Sequence, residues 1–95
     1  MNTFNCLVVE GTVAKAASGG IFTISTKHEY SGHTEVCAFE CECKGAMAKV
    51  ADKNAIVGRN AKIVGRISQR LWKDDEGRQH SKNVVVVEKV EFAKQ

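Results

Sequence analysis

Residues 60–73, NAKIVGRISQRLWK, alternate along their whole length. Ile63, Gly65, Ile67, Gln69 and Leu71 fall on one parity, and Lys62, Val64, Arg66, Ser68, Arg70 and Trp72 on the other. Successive residues of a strand point to opposite faces, so the first set reads as the core side and the second as the outward side. KDDEGR at 73–78, with Gly77, reads as a hairpin loop. SKNVVVVEKVEF at 81–92 then reads as a returning strand, with Val84, Val86, Val90 and Phe92 as its core parity. Glu88 interrupts that parity and marks a place for a bulge.

Upstream of this hairpin the period changes. GAMAKVADKNA at 45–55 repeats Met47, Val50 and Ala51 at helical spacing on Ala-rich sequence, with Gly58 as a stop signal beyond it. TEVCAFECEC at 34–43 alternates again. Cys37, Phe39, Cys41 and Cys43 form its core side; Val36, Ala38, Glu40 and Glu42 point outward. IFTISTKHEY at 21–30 places Phe22 and Ile24 opposite Thr23, Ser25 and Lys27, and Ser31-Gly32-His33 follows as a turn. FNCLVVEGTV at 4–13 is an apolar strand in which Gly11 signals a bend or a close backbone approach. Residues 14–20 read as a loop.

The order is three strands, one short helix and two strands. This is the order of the OB-fold, a five-stranded Greek-key barrel. A chain of 95 residues forms one domain, taken as residues 1–95. So small a domain has little room for an enclosed active site. His28, His33 and His80 are scattered polar positions, and no phosphate loop, Ser/His/Asp set or helix-borne carboxylate pair is visible. An enzyme is not expected, and no cofactor is implied. Asp74, Asp75 and Glu76 lack the spacing of a calcium loop and read as a solvated tip. Cys37, Cys41 and Cys43 share a strand face, with two-residue neighbours about 7 Å apart, too far to converge on one ion without a bend. They read as small core hydrophobes. No apolar run is long enough to span a membrane. The start of the chain lacks a signal-peptide pattern, so the expected location is cytoplasmic.

The formal charge of +3, from 14 Lys and Arg against 11 Asp and Glu, is unevenly laid out. Arg59, Lys62, Arg66, Arg70 and Lys73 occur with no acid between them. Lys62, Arg66 and Arg70 share the outward parity with Trp72, the only tryptophan. Cations that follow phosphates beside a flat ring that stacks on a base are what a single-strand binding face requires.

Over residues 57–92, VGRNAKIVGRISQRLWKDDEGRQHSKNVVVVEKVEF, the sequence resembles the last two strands of bacterial single-stranded DNA-binding proteins. The resembling features are a Gly-flanked strand, an R-x-W step, an acidic hairpin and a Val run. GAMAKVA is similar to that family's short helix, Asn5 to Gly11 to its N-x-L-x-x-x-G opening, and ISTKHEY to its second strand. The resemblance implies an OB-fold that binds single-stranded DNA without strong sequence preference, in replication, recombination or repair. It implies a homotetramer, with a dimer as the alternative. It also implies Trp72 and Tyr30 as stacking residues and Arg70 and Arg66 as basic contacts; Lys62, Lys73 and Arg59 of the acid-free run and Lys27 of the second strand are further candidate phosphate contacts.

The sequence departs from the family in two places. Its third strand carries Glu40 and Glu42 where the family has outward aromatics and a basic residue. Phe39 is core by alternation, or a stacking aromatic if ECECKG shifts the register. The family also continues into an acidic, Phe-containing tail that recruits replication enzymes, whereas this sequence stops at EFAKQ. The expectation is therefore a tailless member or paralogue. The alternatives are a dimer like primosomal replication protein N and an OB-fold protein-interaction subunit that binds DNA weakly.

Overall fold

The computed structural model describes residues 3–94; Gln95, on which the reading of a missing tail rests, lies outside them. The elements are β1 (Leu7–Ser18), β2 (Ile21–Tyr30), β3 (His33–Glu42), α1 (Ala46–Asn54), β4 (Asn60–Lys73) and β5 (Gln79–Phe92). The strands close into a barrel in the order β1-β2-β3-β5-β4. Every pair is antiparallel except β3 with β5, which meet only at Cys41↔Val85 and Glu42↔Val86. This is the all-β five-stranded OB-fold barrel with its helix between the third and fourth strands.

The core is built from the alternation. Val13, Phe22, Ile24, Cys41, Cys43, Ala61, Ile63, Val85 and Val87 fill the barrel. Phe39 packs against them, on the core side as its parity indicates. The helix closes one end through Ala51, with Met47 and Ala48 alongside, while Val50 is 46% exposed. Val50 was expected on the core side; the apolar face runs instead through Met47, Ala48, Ala51 and the C-cap residue Ala55. The Asp52 carboxylate accepts the Gly20 N–H at 2.8 Å and ties the helix to the β1–β2 turn. Burial pushes the Cys41 thiol up to about 12. Burial, followed by the charge of Asp52, pushes Cys43 up to about 11. Both are protonated apolar fillers at neutral pH. No three His, Cys, Asp or Glu side chains among the described residues are placed to hold a metal ion.

Two glycines let strands cross closely. A Cβ on Gly11 would overlap the Ser25 carbonyl oxygen, and one on Gly65 the Val86 carbonyl oxygen. The β2–β3 turn is a two-residue loop, Ser31 and Gly32, with φ of 45° and 77°. Positive φ at both positions gives the turn the twist of its flanking strands.

Beyond Val50, four expectations require correction. Cys37, expected with Cys41 and Cys43 on the core side, is only partly buried and lies outside the core cluster, because β3 has left the barrel there. Residues 14–18 are not loop: β1 continues to Ser18, with register shifts after Val13 and Lys15 where it pairs β2. Ladder pairing there overrides the low strand preference of alanine. In β5 the bulge falls at Glu88, between the pairs Val64↔Lys89 and Gly65↔Val87. It switches parity, so Val85 and Val87 join the barrel core with Val90 and Phe92 while Val86 does not; Val84, on the parity of Val86, is nonetheless 1% exposed, buried outside that cluster. Finally, Ile67 and Leu71 share the parity of Ile63 but are 43% and 59% exposed. The last β1–β4 pair is Leu7↔Gly65, and beyond it β4 leaves the barrel.

Candidate nucleic-acid interface

Two ribbons project from the barrel. β2 pairs β1 only as far as Ser25, and β3 meets β5 only from Cys41, so Thr26–Tyr30 and His33–Cys37 pair only with each other. Likewise residues 68–73 and 79–84 form an arm of β4 and β5 alone, with Arg66 at its base. These arms give the chain a radius of gyration of 14.7 Å, against about 12 Å for a compact domain of this length.

At the β4–β5 tip, Trp72 lies directly opposite His80. Their rings stack at 5.5 Å with an interplanar angle of 19°, and Trp72 is 46% exposed. Asp74 organises the turn beneath them. Its Oδ1 accepts the N–H of Glu76 at 3.0 Å and of Arg78 at 2.8 Å. Its Oδ2 lies 2.8 Å from His80 Nε2 and accepts Arg78 Nε–H at 3.2 Å. The hydrogen bond to His80, followed by those from the Arg78 and Glu76 main chain, holds the Asp74 carboxyl below its ordinary range. Asp74 is thus a half-buried organiser of the turn rather than part of a uniformly solvated tip.

At the β2–β3 tip, Tyr30 stands between two histidines, with ring centroids 5.5 Å from His28 and 6.0 Å from His33. Tyr30 is 50% exposed. It continues the parity of Phe22 and Ile24, whereas Trp72 continues the outer parity of β4.

The basic residues divide by what already engages them. Lys62, Arg66, Arg70 and Trp72 share one face of β4, as the alternation indicates. Arg66 is exposed and has no acidic partner among the described residues. Lys62 lies in register with Glu10 on one side and Glu91 on the other. Arg70 pairs with Glu42 at 3.4 Å, and Lys27 with Glu29 at 2.9 Å. Lys73 is exposed at the tip, on the opposite parity from Trp72. Arg59 sits at the other end of β4, where it donates to the Ala93 carbonyl at 2.6 Å and to Asn54 Oδ1 at 3.0 Å. Its guanidinium also lies 5.6 Å from the Phe92 ring centroid.

The sequence reading passed over His80 and the β2–β3 histidines as polar surface. The signal that finds His80 is hairpin register: once Lys73 pairs with Gln79, Trp72 must pair with His80.

The fold is similar to a Plasmodium falciparum SSB solved in complex with single-stranded DNA, with a TM-score of 0.81 at 13% identity, covering 97% of this chain and 95% of that one. No curated protein sequence gives a match. The family model described as "Single-strand binding protein family" matches residues 7–93, from the first residue of β1 to just past the end of β5. The barrel, its two arms and that match over nearly the whole length agree, and the chain belongs to the single-strand binding protein family.

Proposed function

We propose that the chain binds single-stranded DNA along its two arms, with bases stacking on Trp72 and Tyr30 and phosphates meeting Arg66, Lys73 and Lys62. Arg70 and Lys27 join once their carboxylate partners are displaced. The observation that carries this reading is Trp72, half exposed at a projecting tip and sharing a strand face with the unpaired Arg66. Stacking on an aromatic ring tolerates any base, and phosphate contacts carry no sequence information. Binding without strong sequence preference follows, suited to exposed strands in replication, recombination or repair. The role is binding rather than catalysis. Among the described residues no helix is long and apolar enough to cross a membrane. The proposed location is the cytoplasm, as suits a single-strand binder. Arg59 is assigned to the barrel, since its Nε donates to Ala93 and its Nη1 to Asn54.

A homotetramer is the proposed assembly, with the dimer of the primosomal replication protein N type as its alternative. The protein-interaction reading, in which β3 packs against another protein, is motivated by Glu40 and Glu42. Both carboxylates are engaged within the chain, to Lys82 and to Arg70. Titration with oligo-dT at several salt concentrations, followed by Trp72 fluorescence and light scattering, tests binding and assembly together. Salt-sensitive quenching supports the proposal. Unchanged fluorescence and no binding at low salt refute it.

A further inference from the structure

We propose that Glu40 and Glu42 set the affinity of this chain for single-stranded DNA by holding Lys82 and Arg70 in internal ion pairs that a phosphate must displace. The inference rests on the reading of the β4–β5 arm as a binding face. Glu42 shares the outer face with Val86, to which it pairs across β3–β5, and Glu40 lies two residues away on the same side. Arg70 and Lys82 are directly opposite each other on the outer face of the β4–β5 arm. They lie one same-face step, about 7 Å, from Trp72 and His80. A strand running from the Trp72 stack towards Arg66 therefore crosses both cations.

Each cation already has an anion. Lys82 Nζ lies 3.0 Å from Glu40 Oε2. Arg70 Nη2 lies 3.5 Å from Glu42 Oε1 and 3.4 Å from Oε2. Those last distances are long beside the roughly 2.7–2.9 Å of a strong charge-assisted bond. Arg70 Nε is buried and bonded to nothing. A carboxylate that gripped the guanidinium fork would use two nitrogens; Glu42 uses one. The grip is thus weak, and an oxyanion that meets the outer guanidinium nitrogens at ordinary charge-assisted distances has a better fit than the resident carboxylate. Glu42 loses little by the exchange, because Lys44 Nζ stands 3.9 Å from its Oε1. The two pairs also span the weakest junction of the barrel, the two-residue contact between β3 and β5.

Carboxylates in these places lower the number of phosphates the arm neutralises. For single strands each phosphate contact contributes about 0.7 to the slope of log affinity against log salt. The test measures labelled oligo-dT binding by anisotropy across a salt series for the unsubstituted chain, Glu40→Gln, Glu42→Gln, the double variant and Glu88→Gln. The last removes an exposed carboxylate from the β5 bulge, away from the pairs. The double variant is expected to bind several-fold more tightly at low salt. Its slope steepens by up to about 1.4, with curves converging at high salt. Glu88→Gln leaves the slope unchanged. If the double variant does not fold, as judged by circular dichroism, each single variant carries the test with a steepening of up to about 0.7. Folded variants with an unchanged slope, or with weaker binding, overturn the inference while leaving the binding face in place. Failure of the unsubstituted chain to bind oligo-dT at any salt overturns the binding reading, and the inference with it.

Discussion

His80 is expected to act through Trp72, and a double-mutant cycle isolates that role. The two rings are 5.5 Å apart and nearly parallel, and the imidazole is held from behind by Asp74 at 2.8 Å. One face of the indole is therefore occupied, which leaves the other for the proposed stacking of a base. Base–aromatic stacking is worth about 1–3 kcal/mol per base, so Trp72→Ala weakens oligo-dT binding by about 5- to 160-fold. An aromatic pair of this geometry contributes about 0.5–1.5 kcal/mol beyond area burial. His80→Ala leaves the indole unsupported and weakens binding by about 2- to 13-fold if that preorganisation is lost in full. In the Trp72→Ala background the histidine has nothing to orient, so His80→Ala then changes affinity by less than 2-fold, about 0.4 kcal/mol. Anisotropy of a labelled oligonucleotide is the appropriate assay, because the cycle removes the only tryptophan. Equal effects of His80→Ala with and without Trp72 refute the positioning role. Tighter binding by His80→Ala also refutes it, since that means the base enters between the two rings.

Other consequences follow from particular contacts. Gly65→Ala places a methyl group into the Val86 carbonyl oxygen, and overpacking of this kind costs about 1–3 kcal/mol or more; urea unfolding should show a lower midpoint with the slope retained. Arg59→Ala removes charged donors from the Ala93 and Asn54 oxygens, so it should lower stability by about 1.5–3 kcal/mol while leaving the salt slope of DNA binding unchanged. The folded Asp74 carboxyl lies below its ordinary value of 3.8. Its contribution to the tip is therefore complete above that value and lost as pH falls through the lower folded one. Acid titration of Trp72 fluorescence should show this step below pH 3.8, and Asp74→Asn should abolish it. Cys41 and Cys43, buried with thiols raised to about 12 and about 11, should resist alkylation at pH 8 until the chain unfolds, whereas the exposed Cys6 reacts in the folded state. Mass spectrometry separates the two classes.

Alternation alone identified the two faces of β4, because the side-chain period of a strand is fixed by covalent geometry. It could not identify where the strand leaves the barrel. Ile63 and Leu71 look equivalent in sequence, yet one is fully buried and the other 59% exposed. The difference depends on where β1 stops pairing, which is a property of another strand. The bulge at Glu88 was legible as an interruption, but its effect on parity was not, since a run of four valines fits the core in either register. At the site, Trp72 and Arg66 were visible on one element. The partners of Arg70 and Lys82 were not, because they come from β3 across a parallel junction that local sequence does not encode.

That junction also changes the meaning of the chain's departure from its family pattern. Read along β3, Glu40 and Glu42 are two charges that repel a phosphate. Read across the barrel, they neutralise Lys82 and Arg70 and connect strands that share only two ladder pairs. The same carboxylates therefore bear on both stability and binding, with opposite signs. Exposed pairs of this kind are worth about 0–1 kcal/mol to the fold, whereas each phosphate contact they suppress is felt in the salt dependence of DNA affinity. A chain that needed the tightest possible grip would gain more by losing them than it would forfeit in stability. On the proposed reading, their presence holds the affinity of this face below what its cations alone would give.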